Sequence, residues 1–486
     1  MPLSRRCFGL RVLSSGRRQS PHPCPCRVQS GFSTALLFAG FLLTGCGGGS
    51  AGSTGPAADS IRFSSAFESG SIGAVTPLGQ DGLSWDLALR NDNDNAALPA
   101  SYRTWWLVRA DGVPIGKRVR LEFTRLGFRE FFVPVFSYDG KRWQYFDDQD
   151  VSLVTDGAAP SGTDRLRVEA RFDASTVWIA RTFPYTTTDL SAFLQTVAAG
   201  PFVRIDSLGL SPRLQLPIRM VTISDATVQT AKETVWIHAR SHPGETGPSY
   251  LLEGLIGAAL GDDTLGRSLR SRYVFRIVPM HNVDGVVLGN YRTNAGSANL
   301  ESSWVFSPGN IHLDAGAPAE NLLVNQQGMG PALLDAQAPV VLALNLHSSN
   351  SNPDTAAFFF PHFGDDPGRY SPAQRNLWRR QIDFIERVAV EYDGRIERPP
   401  SEGGAGFLDS AFPETWWWSH KQDAVNAITL ETTYGRAGFD HWITQDDLRR
   451  LGAAVARAID GLGSAPVHAP VVFRLPFKAE IYRDRQ

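Results

Sequence analysis

The sequence predicts two folded domains, an all-β antiparallel sandwich over residues 61–188 and an α/β domain over residues 189–463. The first prediction rests on short alternating runs separated by turn signals such as Asp111-Gly112. The second rests on strand-like runs that alternate with helical ones, which indicates a mixed central sheet with helices on both faces. Length supports this division, because a chain of 486 residues is much longer than a domain with one small core.

Residues 1–45 have the features of a secretory signal. They contain six arginines and no acidic residue, and their apolar run, Gly31–Leu43, is too short to cross a bilayer. Leu43-Thr-Gly-Cys46 has the pattern of a bacterial lipoprotein cleavage box, with Cys46 as the lipid-modified residue. We therefore expect a protein of the bacterial cell envelope, lipid-anchored or else periplasmic or extracellular, whose membrane contact is the lipid at Cys46. The basic region is long for a signal, which a downstream translation start would explain.

Composition further restricts the kinds of site and partner expected for the mature chain. The four cysteines lie in or at the end of this leader, so the folded part uses neither disulfides nor thiolate ligands. Lys and Arg number 47 and Asp and Glu 49; without the six leader arginines the balance is 41 against 49, a formal net charge of −8. A mildly acidic protein argues against a nucleic-acid partner. Residues 46–60 are a Gly/Ser-rich flexible tether, and residues 464–486 are a tail of unassigned structure.

Six strands are predicted in the β region. They are Trp85–Arg90, Thr104–Val108, Val119–Phe123, Phe131–Phe136, Leu166–Phe172 and Ser175–Ala180. The segment Arg90–Asn95 is rich in Asp and Asn, but it lacks the glycine and distal glutamate of an EF-hand loop. It is therefore predicted to be a solvated turn.

Three helices are predicted in the α/β region. Apolar spacing predicts Pro248–Leu260 and Ala373–Tyr392, and a capping box at Thr444 starts a last helix that runs through Ile459. Strands are expected to end near Arg240, Met280, His347 and Glu431. Because sites in α/β sheets gather at the carboxyl ends of strands, side chains there are expected to meet.

A metal site is predicted from this convergence. His242 and Glu245 lie three residues apart at a strand-to-helix turn, and imidazole and carboxylate are both good zinc ligands. His347, at the end of another strand, would be the third ligand. A lone His-x-x-Glu also occurs by chance, with the histidine an ordinary polar loop residue. Glu431, at a third strand end, supplies the fourth group that favours the site.

Four motifs in order resemble the zinc carboxypeptidases, specifically their cytosolic-carboxypeptidase-like branch. They are His242-Pro-Gly-Glu245 with Thr246, Val278–Arg292, Leu346–Ser348 and Thr429–Thr432. The β region also resembles the small domain that precedes the catalytic domain in that branch, and Tyr185–Leu190 resembles the segment that joins the two.

The resemblance implies roles for five residues. One Zn²⁺ would be held by His242, Glu245 and His347, leaving a position open for water. Glu431 would be the general base, and Arg292 would stabilise the oxyanion. The alternatives are a surface ion pair for Arg292 and a structural carboxylate for Glu431.

Two departures from the family pattern concern the substrate. Family members grip a terminal carboxylate with an Asn-Arg pair just before a tryptophan; alignment on Trp304 puts Glu301 and Ser302 at those positions. Glu301 would repel a carboxylate, and no bidentate arginine is there to bind one.

The second departure is the absence of a tyrosine between Gly403 and Val425, where relatives have one that closes over the substrate. Trp416 in the run Trp416–Trp418 is a candidate substrate wall, although such clusters often only pack beneath a loop. His420 or Lys421 would be a basic group in the specificity pocket, which favours an acidic leaving group.

The sequence thus predicts a zinc-dependent metallocarboxypeptidase-like hydrolase that cleaves a peptide or amide bond. One alternative is an amidase or deacylase acting on an amide that is not C-terminal, favoured by the missing Asn-Arg pair. The other is a non-catalytic protein that retains zinc and uses the cleft for binding.

Overall fold

A computed structural model describes residues 60–155, 164–349 and 351–464. The predicted signal (1–45) and all but one residue each of the predicted tether and tail lie outside these ranges. None of the helices in the described ranges combines the length and apolarity needed to cross a membrane. The β region and the α/β region belong to one compact unit.

Ten strands lie in the described residues of the β region. They are β1 (Arg62–Ser64), β2 (Val75–Pro77), β3 (Ser84–Ala88), β4 (Leu107–Asp111), β5 (Arg118–Thr124), β6 (Val135–Ser137), β7 (Gln144–Tyr145), β8 (Val151–Val154), β9 (Arg165–Arg171) and β10 (Thr176–Ala180).

These strands form two five-stranded sheets with the orders β1-β4-β10-β6-β7 and β2-β3-β5-β9-β8. Strands alternate inward and outward residues, so Val119, Leu121 and Phe123 of β5 share one buried core with Val108 and Val177 of the opposite sheet. The predicted antiparallel sandwich is confirmed, with one parallel pair, β3–β5.

Two predicted strands of the β region are displaced, and the predicted Phe131–Phe136 becomes strand only from Val135. The expected run Thr104–Val108 becomes strand only from Leu107, where pairing with β10 begins. Trp105 is buried in the core of the α/β region, and its indole donates to the Ser69 carbonyl at 2.9 Å.

The α/β region contains seven strands and nine α-helices among the described residues. The strands are β11 (Val203–Leu210), β12 (Pro217–Ile223), β13 (Glu233–Ala239), β14 (Tyr273–Val278), β15 (Val340–Ser348), β16 (Phe358–Phe360) and β17 (Asn426–Thr432). The helices are α1 (Thr187–Val197), α2 (Gly247–Leu260), α3 (Thr264–Arg272), α4 (Val283–Val287), α5 (Ala319–Val324), α6 (Gly330–Leu334), α7 (Pro372–Glu391), α8 (Pro413–Lys421) and α9 (Gln445–Asp460).

The seven strands form one mixed sheet in the order β11-β12-β14-β13-β15-β17-β16. The central strands β14, β13, β15 and β17 are parallel, and β11, β12 and β16 are antiparallel additions. On one face Trp236 contacts Trp417 of α8, and on the other Phe359 contacts Phe384 of α7. The predicted α/β fold with helices on both faces is confirmed.

Register places the strand-end residues together. His347 of β15 is the direct neighbour of Glu431 in β17, so both side chains leave the same face at the same height. α2 begins beside them, since a Cβ at Gly247 would overlap the side chains of Ser348 and Thr432. Glycine at this position lets the helix start against the strand ends.

The three predicted helices are present. Predicted Pro248–Leu260 is α2, predicted Ala373–Tyr392 is α7, and the last predicted helix is α9. The capping box forms as expected, with the Thr444 hydroxyl accepting from the Asp447 backbone and the Asp447 carboxylate accepting from the Thr444 backbone.

Candidate metal centre and active site

Three buried side chains point their ligand atoms at one point. His242 Nδ1 lies 2.9 Å from Glu245 Oε1, and His347 Nδ1 lies 2.8 Å from Glu245 Oε2. The two Nδ1 atoms are 3.1 Å apart. Ligands bound about 2.0–2.1 Å from a tetrahedral zinc ion lie roughly 3.3 Å from one another, so this spacing fits one ion.

The other ring nitrogen of each histidine has its own acceptor. His242 Nε2 lies 3.0 Å from Asn299 Oδ1, and His347 Nε2 lies 3.0 Å from Glu301 Oε2. Such partners hold the proton on Nε2 and leave the Nδ1 lone pair for a metal. The donor set, the spacing and these outer partners all fit zinc.

The charges around the ligands favour a cation. Burial, together with Arg292, lowers the pKa of His242 to about 4. Burial opposes ionisation of His347 and Glu245, but the neighbouring charges prevail. Glu301 and Glu245 hold the pKa of His347 well above its usual value, and the two histidines hold the pKa of Glu245 well below. A metal ion binds the neutral imidazole, so metal binding and protonation of His347 compete at this site.

A small cavity opens beside the ligands. It is lined by His242, Arg292, Glu301, His347, Phe360, Phe412, Thr429 and Glu431. Glu431 is buried, and Arg292 is partly buried with its guanidinium 5.5 Å from the centroid of the Tyr102 ring. Among the described residues Arg292 forms no ion pair, so the surface ion pair considered from sequence is absent from this part of the chain.

The segment predicted to be a solvated turn is instead an anchor between the two domains, so that prediction was wrong. Asp92 is 3% exposed. Its carboxylate accepts the backbone N–H groups of Tyr291, Arg292 and Thr293 at 2.6, 2.8 and 2.7 Å, and the Thr293 hydroxyl at 3.0 Å. Four donors from another domain replace the water that was expected around this aspartate.

Three predicted substrate-binding residues do not line the cavity. Trp416 is fully buried and its indole donates to the Ile311 carbonyl, so it serves packing. The ring nitrogens of His420 contact the carbonyls of Trp416 and Asn310, and Lys421 is exposed at the end of α8. From the same tyrosine-free stretch it is Phe412 that reaches the cavity.

Sequence reasoning missed the groups that support the ligands. Asn299 is absent from the predicted site residues, and the sequence predicts for Glu301 only that it repels a carboxylate. Beneath the ligands Asn345 donates to Glu301 at 2.7 Å and to Glu414 at 3.2 Å. Burial, with Glu301 nearby, raises the pKa of Glu414 to about 7. The only available signal was the acidic residue just before Trp304.

Comparison with known protein families agrees with this geometry. Residues 190–307 match the zinc carboxypeptidase family model, and residues 63–182 match that of the cytosolic carboxypeptidase N-terminal domain. The chain carries a zinc carboxypeptidase domain. It is preceded by a cytosolic carboxypeptidase N-terminal domain.

Curated relatives include cytosolic carboxypeptidases of animals. The chain is 24% identical to cytosolic carboxypeptidase 6 of Caenorhabditis elegans over 352 residues, covering 69% of this chain and 73% of the relative. It is 26% identical to mouse cytosolic carboxypeptidase 2 over 271 residues, covering 51% of this chain but only 30% of the relative.

Solved structures share the fold. A metallo-carboxypeptidase from Burkholderia cenocepacia superposes with a TM-score of 0.65 at 24% identity, covering 82% of this chain and 98% of that one. A metallo-carboxypeptidase from Pseudomonas aeruginosa, in complex with (2-guanidinoethylmercapto)succinic acid, superposes with a TM-score of 0.65 at 21% identity, with the same coverage.

Proposed function

We propose that this protein is a zinc-dependent hydrolase of peptide or amide bonds, with His242, Glu245 and His347 as metal ligands. The carrying observation is the convergence of these three ligand atoms beside Glu431 and Arg292 in one cavity. A zinc ion bound there supplies Lewis acidity toward a carbonyl oxygen and a water molecule.

Glu431 and Arg292 divide the remaining work. In this proposal the Glu431 carboxylate accepts a proton from the attacking water and passes it to the leaving nitrogen. The guanidinium of Arg292 offers a fixed positive charge to the oxygen on which negative charge develops. Phe360 and Phe412 give the same cavity apolar walls, and the lower polarity they provide strengthens both interactions.

The residues at the positions of the family's Asn-Arg pair favour a second candidate function. This is an amidase or deacylase that does not require a free terminal carboxylate. Glu301 is 5% exposed and accepts from His347 and Asn345, so its negative charge is fixed beside the cavity. Ser302 is exposed and neutral. Among the described residues lining the cavity, Arg292 is the one with a permanent positive charge. A second anion has no bidentate partner there.

Hydrolysis of matched peptides tests the function. The full chain, loaded with zinc, is assayed on pairs that differ only in a free C-terminal carboxylate or a C-terminal amide, with and without a chelator. Chelator-sensitive cleavage that needs the free carboxylate supports a carboxypeptidase. Equal cleavage of both supports the amidase. Stoichiometric zinc without cleavage of either favours the binding protein.

Two variants sharpen this assay. Glu431→Gln is expected to lower kcat by at least about 1,000-fold while zinc stays bound, because the base is lost but the ligands remain. Ser302→Arg is expected to raise cleavage of the peptide with a free C-terminal carboxylate relative to its amide, because the added guanidinium can bind that carboxylate. If Glu431→Gln retains full activity, the proposed mechanism is wrong.

A further inference from the structure

The loop that carries Arg292 is held from outside the α/β domain. Ser69 of the β region donates its amide and hydroxyl to the carbonyls of Val287 and Val286, at 3.0 and 2.7 Å. Arg90 donates to the Leu288 carbonyl at 2.5 Å. The C-terminal end of α4 and the start of the loop after it are thus attached to the N-terminal domain before the loop reaches Arg292.

Asp92 makes the decisive contact in this attachment. Its two oxygens accept three consecutive backbone amides, from Tyr291 to Thr293, so the peptide groups on both sides of the Arg292 Cα are fixed to one carboxylate. Hydrogen bonds to a charged acceptor are stronger than neutral ones, and these lie out of water. The backbone at Arg292 is therefore oriented by a residue two hundred positions away.

Asn93 continues the attachment. Its amide N–H contacts the Asn290 side chain at 3.1 Å, and the Asn290 side chain donates back to Asn93 Oδ1 at 2.9 Å. Asn93 adopts φ 53°, a left-handed conformation that asparagine tolerates better than most residues. This backbone bend lets Asp92 and Asn93 face the loop together.

The guanidinium of Arg292 has few other constraints. Within the described residues no acceptor binds it, and its close neighbour is the Tyr102 ring, which also belongs to the N-terminal domain. An arginine without an ion pair keeps its charge available to substrate, but its position must then come from the backbone and from packing. The N-terminal domain supplies the three amide contacts of Asp92 and the Tyr102 ring, and the α/β domain adds the Gly244 amide, which donates to the Tyr291 carbonyl at 2.9 Å.

We infer that the N-terminal domain completes the active site, with Asp92 as the positioning residue for Arg292. This inference rests on the proposed function where it concerns catalysis. Where the inference concerns the fixed conformation of the loop at residues 291–293, it rests on the contacts of Asp92 alone.

A double-mutant cycle tests the catalytic part. Asp92→Asn keeps the shape but loses the charge and one acceptor, and it is expected to lower kcat about 10- to 100-fold with little change in KM and with zinc retained. On an Arg292→Ala background the same substitution is expected to cost less than about threefold, since the two residues act through one interaction. Equal losses on both backgrounds would overturn the inference.

The control is Asp94→Asn in the same segment. The Asp94 side chain is 74% exposed and pairs with Arg90, and it does not touch the loop backbone. The kcat of Asp94→Asn is expected to stay within about twofold of the parent value.

Amide hydrogen exchange tests the loop without activity. In Asp92→Asn the amides of residues 291–293 are expected to exchange at least about tenfold faster, while those of α9 are unchanged. Unchanged exchange in the loop overturns the inference even if no substrate is cleaved. Failure of all hydrolysis with faster loop exchange would instead refute the proposed function and leave the positioning role of Asp92 standing.

Discussion

The two halves of the candidate site are built differently. His347 and Glu431 lie near the ends of β15 and β17, and His242 and Glu245 lie in the turn that follows β13; the register of these three neighbouring strands brings the four residues together. Arg292, Asn299 and Glu301 belong to a long irregular segment between α4 and α5, and their places are set by distant residues. The first half follows from periodic sequence patterns. The second half depends on contacts between distant residues, which no local sequence pattern predicts.

The largest expected effect lies in the strand-end half. His347→Ala removes one of three ligands and is expected to abolish stoichiometric zinc binding and any chelator-sensitive hydrolysis. Zinc content measured after dialysis checks this. His312→Ala, which changes an exposed histidine elsewhere, is the matched control and should keep one zinc. Full zinc retention in His347→Ala would contradict the assigned ligand set.

The next effect measures how strongly the irregular half supports the ligands. Glu301→Gln removes the carboxylate on His347 Nε2 and is expected to weaken zinc affinity about 10- to 100-fold. Competition with a chelator gives the affinity. Ser302→Ala, at the adjacent exposed residue, should have no effect. Equal affinities for Glu301→Gln and the parent would show that Glu301 does not support the ligand.

A third effect concerns Glu414, which lies near Glu301 beneath the ligands. The pKa of Glu414 is raised above its unfolded value to about 7, so its stabilising contribution is complete below about pH 4.5 and lost as pH rises through 7. Glu414→Gln mimics the protonated form. Its free energy of unfolding should therefore match that of the parent near pH 4 and exceed it by about 2–3 kcal/mol at pH 8.

Urea unfolding of both proteins across this pH range measures the difference. Parallel stability curves for parent and Glu414→Gln would contradict a raised pKa in the folded state.

The smallest effect tests a feature encoded entirely in local sequence. Thr444→Ala removes the cap of α9 and is expected to destabilise the protein by about 1 kcal/mol, with Thr186→Ala at the start of α1 similar. The urea midpoint measures both. A loss of zinc affinity in either variant would indicate that these helix starts are coupled to the site.

Misplaced predictions share one cause. Arg90–Asn95 has the composition of an exposed turn, and His420 and Lys421 have that of a charged pocket. Burial of Asp92 became favourable only because three amides and a hydroxyl of another domain converge on it. His420 meets backbone carbonyls instead of the cavity. Composition records what a residue can bind, and the fold decides which partner is near.

The sequence by itself determined the α/β sheet, the sandwich before it, three helices and the candidate metal-ligand set. Hydrophobic period, capping residues and strand ends are local properties, and parallel strands bring such ends together without further information. Tertiary structure alone decided that Asn299 and Glu301 hold the histidines, that Glu414 lies against Glu301, and that Asp92 holds the loop of Arg292. These contacts join residues far apart in the chain, and their strength comes from burial, which exists only once the domains have packed.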